Sequence, residues 1–108
     1  MSIGWKDVWS SAVQAAESAV RTKAPKATKF VKGIAGAREQ RLKLLLVAFA
    51  DGALDEQTVE EELREERSIL EMEFLAVQVM VKKAAQDAAN ALIGTIEKAL
   101  LKGIDLVV

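Results

Sequence analysis

The chain has 108 residues, 51% of them hydrophobic and 29% charged, with a formal net charge of −1. It holds no cysteine, histidine or tyrosine, which excludes disulfides, thiolate nucleophiles, Cys/His zinc sites, c-type haem attachment and a Ser-His-Asp triad. A near-neutral balance gives no global pull toward nucleic acid, and the length suits one helical domain spanning 1–108.

In chain order, the first element is an amphipathic N-terminal helix over 1–24. Trp5, Trp9, Ala12 or Val13, Ala16 and Val20 recur at spacings of three and four, opposite a polar stripe of Asp7, Ser11, Gln14, Ser18 and Arg21. Pro25 ends or kinks it, because proline lacks an N–H and forces the preceding Ala24 toward extended geometry.

The second element, 26–50, is basic and then apolar. Gly33 and Gly36 weaken its first part by about 1 kcal/mol each relative to alanine, or else mark a close backbone approach. From Ala37 the helical signal is strong, and after Lys43 the segment is apolar nearly all the way round, which predicts burial on several sides.

Asp51-Gly52 is the clearest punctuation. Gly52 suits the left-handed position that closes a helix, and Asp55 reads as the N-cap of the next, with Leu54 and Val59 as a hydrophobic staple. The third element, 55–102, is acidic and then apolar, and it meets neither proline nor glycine before Gly94. Its stripe is Val59, Leu63, Leu70, Phe74, Val77, Val81, Ala84 and Ala88, interrupted at Glu66 or Arg67, with Asn90 and Gly94 marking a bend or passing unnoticed. Gly103 suits a C-cap with Ile104 packing back, and Val107 and Val108 form an apolar tail.

Charge is segregated. Residues 1–50 hold nine Lys/Arg against three acids, while 51–108 hold six against thirteen, giving +6 and −7. Folding about the Asp51-Gly52 turn brings the two blocks together, with Lys43 near Leu63 and Arg38 near Ser68. Arg38, Arg41, Glu65 and Glu66 then set the register of the pairing, as interspersed charges do in coiled coils.

The predicted fold is all-α: a long antiparallel helical hairpin, kinked near Pro25 and packed with other copies. Straight arms would extend about 70 Å at 1.5 Å per residue. The alternative is a four-helix bundle closed within one chain by bends at Pro25 and Asn90–Gly94. The residues assigned to the interface or core are Leu42, Leu45, Val47, Phe49, Leu70, Phe74, Val77 and Val81. If Phe74 is an interface residue, Phe74→Asp dissolves the assembly.

Catalytic and metal motifs are weak. Asp51 and Glu62 stand at the ends of an EF-hand-like spacing, but Ala53 and Glu56 occupy positions that need a ligand and a glycine. Glu60, Glu61, Glu62, Glu65 and Glu66 lack the histidines of a di-iron bundle, and Lys32-Gly33-Ile34-Ala35-Gly36 is no phosphate loop. The expectation is a non-enzymatic structural or interaction subunit, without cofactor or small-molecule substrate, that assembles with itself into a homo-oligomer or filament.

The alternative is an anionic membrane surface engaged by Trp5 and Trp9, with Lys26, Lys29 and Lys32 as phosphate contacts. Nucleic acid is a third partner class, bound without sequence preference because only Phe30 is at hand for stacking. The first residues lack a secretory signal, since Lys6 and Asp7 stand where its apolar stretch should begin. The apolar runs 44–50 and 74–77 are too short to span a bilayer, an absence compatible with a cytoplasmic location.

Overall fold

In the computed structural model, which describes residues 2–77, 80–101 and 105–107, the chain is all-α, with five helices packed on one another. They are α1 (Trp5–Lys23), α2 (Thr28–Gly36), α3 (Glu39–Ala50), α4 (Glu56–Leu75) and α5 (Lys82–Leu101). Two three-residue strands, β1 (Ser2–Gly4) and β2 (Asp105–Val107), pair in parallel, Ser2 against Asp105 and Gly4 against Val107. The expected C-cap at Gly103 and Ile104 lies outside the described residues, as does Val108.

Trp5, Val8, Ala12, Val13, Ala16 and Val20 form the buried face of α1, so the predicted stripe is the observed one. Asp7 in its first turn and Arg21 and Lys23 in its last suit the helix dipole. The helix stops as proline requires: Ala24 takes φ −146° and ψ 68°, and Pro25 opens a 3-10 turn, Pro25–Ala27. The most extensive helix packing joins α1 to α5. Ala12 and Ala16 on α1, and Ala84, Ala85, Ala88 and Ala89 on α5, are all buried. Such small side chains let two helix axes draw close. The pair is antiparallel: Lys23 Nζ meets Asp87 Oδ2 at 2.7 Å near one end, and β1 pairs with β2 at the other.

The Asp51-Gly52 turn forms as the sequence indicates. Gly52 has φ +79°, Ala53 N–H donates to the Ala48 carbonyl at 2.8 Å, and Gly52 N–H donates to that of Phe49 at 3.1 Å. These two bonds make a Schellman closure. Asp55 caps α4, its Oδ1 accepting from Thr58 N–H at 2.7 Å, and Leu54 packs against the core.

Two expectations are corrected and one open alternative is decided. The arms do not run straight: the molecule measures 40 × 24 × 19 Å, against about 70 Å for an extended hairpin. The chain breaks at 37–38 between α2 and α3, and the expected 55–102 helix is two helices, α4 and α5, that form an antiparallel pair, Arg67 Nη1 donating to Asn90 Oδ1 at 3.3 Å. There is no bend at Asn90 or Gly94, since α5 runs through both.

Secondly, of the two readings open for Gly33 and Gly36, the weak helix holds and the close approach does not. A Cβ at either position would meet nothing within 4 Å, so α2 is a short helix of weak propensity. Thirdly, the 44–50 segment is not enclosed. Leu42, Leu45 and Leu46 are buried, Val47, Ala48 and Phe49 are half-buried, and Leu44 and Ala50 are exposed. One face of α3 therefore meets the bundle, and the other looks outward.

Candidate functional site

Among the described residues, no group of three or more acidic side chains is placed to hold a metal ion. The Asp51–Glu62 spacing is consumed by the helix that Asp55 caps. Its carboxyl is held below the usual carboxylate range by the Thr58 hydrogen bond.

The basic and acidic blocks meet inside the chain. Arg38, at the start of α3, donates from Nε to Glu66 Oε2 at 2.9 Å and from Nη2 to Oε1 at 2.7 Å. Arg41 Nη2 reaches Glu62 at 3.2 Å, and its Nε lies 3.5 Å from Glu66. The register differs by two residues from the expected one, with Arg38 meeting Glu66 rather than Ser68. Glu66 stands fourth-and-third in the stripe Val59, Leu63, Glu66, Leu70 and Phe74, and is 3% exposed. Its hydrogen bond raises the Arg38 pKa further above the ordinary arginine value. Glu65 is exposed and forms no ion pair among the described residues.

The residues expected at an interface divide. Leu42, Leu45, Leu70 and Phe74 are core, and Phe49 and Val77 are half-buried against that core. Val47 is half-buried, and Val81 is 53% exposed. Phe74 is fully enclosed, so Phe74→Asp tests folding and not assembly.

Trp5 and Trp9 do not form an exposed anchor. Their rings stack with centroids 5.8 Å apart at 22°, and Trp5 is buried with its Nε1–H donating to Glu39 Oε2 at 3.0 Å. Trp9 is half-buried against the core. The indoles thus tie α1 to the start of α3, as buried tryptophans with one polar atom commonly do.

Lys26, Lys29 and Lys32 are exposed, and so is Arg21. With them lies an open groove of about 600 Å³ lined by Glu17, Pro25, Lys26, Thr28, Lys29 and Phe30. Lys29 Nζ sits 5.3 Å from the centre of the Phe30 ring, a cation–π distance. Thr28 Oγ1 is buried without a hydrogen-bond partner among the described residues. Asp87 joins this end to α5, bonding both Lys23 at 2.7 Å and Lys83 at 3.2 Å. Chiefly the Lys23 hydrogen bond keeps its pKa below the ordinary aspartate value.

A second surface lies on α4 and its turn. Met72 is 71% exposed, Leu75 39% and Val81 53%; Leu44, on α3, is 55% exposed. Of these only Val81 was singled out from sequence, and Met72 and Leu75 were hidden within a run that is apolar on both sides. Met72 could have been found from its phase, two residues past Leu70 and so nearly opposite the buried stripe. Among the described residues, no helix is long and apolar enough to cross a membrane. No protein-family model, curated protein or solved structure matches the chain.

Proposed function

We propose that the chain is a non-enzymatic interaction subunit that assembles with copies of itself. The observation that carries this reading is the outward apolar corner of α4, where Met72 and Leu75 stand one turn apart, both exposed, with Val81 beyond the turn. Covering one such side chain completely contributes on the order of 2 kcal/mol. Glu71, Glu73, Lys82 and Lys83 flank the corner in sequence, giving the apolar centre and charged rim of a protein interface.

Charge supports the same partner. Asp51, Asp55, Glu56 and Glu61 are exposed around the start of α4. The 20 residues of α4 separate them from its C-terminal corner by about 30 Å. A chain with exposed acids at one end and exposed cations elsewhere is complementary to itself, which favours ordered contact between copies.

The test is the mass in solution by light scattering after size exclusion, at low and high salt, for the wild type and for Met72→Glu with Leu75→Glu. A multimer that the double substitution returns to single-chain mass, with the helical circular dichroism retained, supports the reading. A wild type that keeps single-chain mass at every concentration overturns it.

A further inference from the structure

We infer that the C-terminal end of α1, the 3-10 turn and α2 form a docking face for the headgroups of an anionic lipid bilayer. Between residues 18 and 38 the sequence holds no Asp or Glu. Arg21, Lys26, Lys29 and Lys32 are exposed there, and none forms an ion pair among the described residues. Lys23 and Lys83 share Asp87, so the cations continue from α1 onto the first turn of α5.

The groove adds what a merely basic surface lacks. Phe30, 41% exposed, stands among Pro25, Lys26 and Lys29, and its ring is held under the Lys29 ammonium. An aromatic side chain that enters the headgroup boundary while neighbouring lysines meet the phosphates is how interfacial proteins bind. The unpartnered Thr28 hydroxyl lines the same groove and gains an acceptor when a headgroup phosphate enters. Glu17 is the one carboxylate of the lining, against four unpaired cations nearby.

Nucleic acid fits less well. Single strands are held on a series of stacking platforms, and Phe30 stands here as a single ring with Lys29 over one of its faces. This face is distinct from the tryptophans, of which Trp5 is buried and bonded to Glu39 and Trp9 is half-buried against the core. It does not depend on self-assembly.

The experiment is co-sedimentation of the full chain with vesicles of three parts phosphatidylcholine to one part phosphatidylserine, beside vesicles of phosphatidylcholine alone. The wild type binds the anionic vesicles at low salt and leaves the neutral ones. Lys26→Glu with Lys29→Glu lowers partitioning on the order of tenfold or more, and Phe30→Ser lowers it several-fold while keeping the salt dependence. Both variants alter exposed positions, and circular dichroism checks their fold. The inference is overturned if the wild type ignores anionic vesicles or if both variants bind as the wild type does. A gel shift with a DNA oligonucleotide but no vesicle binding also overturns it, and assigns the face to nucleic acid.

Discussion

Arg38 closes on Glu66 with two arms of its guanidinium, at 2.9 and 2.7 Å, across the space between the start of α3 and the middle of α4. The carboxylate is 3% exposed and stands in the apolar stripe of its helix, so its charge is tolerated only while the arginine is there. A buried pair adds little net stability, but removing one partner strands the other. Arg38→Met therefore destabilises by about 3 kcal/mol, tempered by the second contact from Arg41 at 3.5 Å. Arg38→Met with Glu66→Leu recovers most of that loss, because the stripe is then apolar throughout. Urea unfolding midpoints check both; a double variant as unstable as the single one defeats the account.

That pair was legible in the sequence because its parts are local and strongly signed. Asp51-Gly52 fixes one turn, Asp55 fixes the next helix start, and a turn of known place aligns Arg38 with Glu66 to within two residues, while Arg41 reaches Glu62 and Glu66 in place of the expected Glu65. The division into α4 and α5 was not legible. Val59, Leu63, Glu66, Leu70, Phe74, Val77, Val81, Ala84 and Ala88 keep one helical phase across it, so periodicity alone reads a single helix. What breaks the helix is tertiary: α5 packs against both α1 and α4, its Ala84, Ala85, Ala88 and Ala89 all buried, and only a chain that turns back after α4 can place it there. Gly33, Gly36 and Gly94 left two readings open in the sequence, and the open space around all three selects the plain helical one. The tryptophans suit a packed stripe and membrane insertion alike, because both draw on the same amphipathic pattern, and burial of Trp5 with its Glu39 partner selects the packed stripe.

Acid should weaken the fold through Asp55 and Asp87. Both have pKa values lowered in the native state, Asp55 by the Thr58 hydrogen bond and Asp87 chiefly by that of Lys23. A depressed native pKa means that the unfolded chain binds protons first. The stabilisation is present above the ordinary aspartate range and is lost as the pH falls through the native values. Thermal melts from neutral pH to about pH 3, in the range of ordinary carboxylates, will show the decline. Asp87→Asn should flatten part of it. A variant whose acid limb matches the wild type would remove Asp87 from the account.

Tryptophan emission separates the two ways of meeting a membrane. Trp5 is buried and hydrogen-bonded to Glu39, and Trp9 is stacked on it, so emission is blue-shifted in the native state and moves red on unfolding. Docking through Lys26, Lys29 and Phe30 leaves the indoles where they are. Anionic vesicles should therefore bind the protein without moving its emission maximum. A blue shift on binding would mean that the indoles themselves enter the lipid.

Two glycines should respond to alanine with opposite signs. Gly33 lies inside α2, exposed, with nothing within 4 Å of an added Cβ. Gly33→Ala removes backbone freedom from the unfolded chain and improves helix propensity, for a gain of up to about 1 kcal/mol. Gly52 is equally free of neighbours, but its φ of +79° lies where a Cβ crowds the backbone. Gly52→Ala should cost about 1–2 kcal/mol and loosen the Schellman closure between α3 and α4. Because space is open at both positions, any difference in sign comes from the backbone alone. Equilibrium unfolding of the two variants measures it directly: a stabilised Gly52→Ala would mean that the turn relaxes out of the left-handed region.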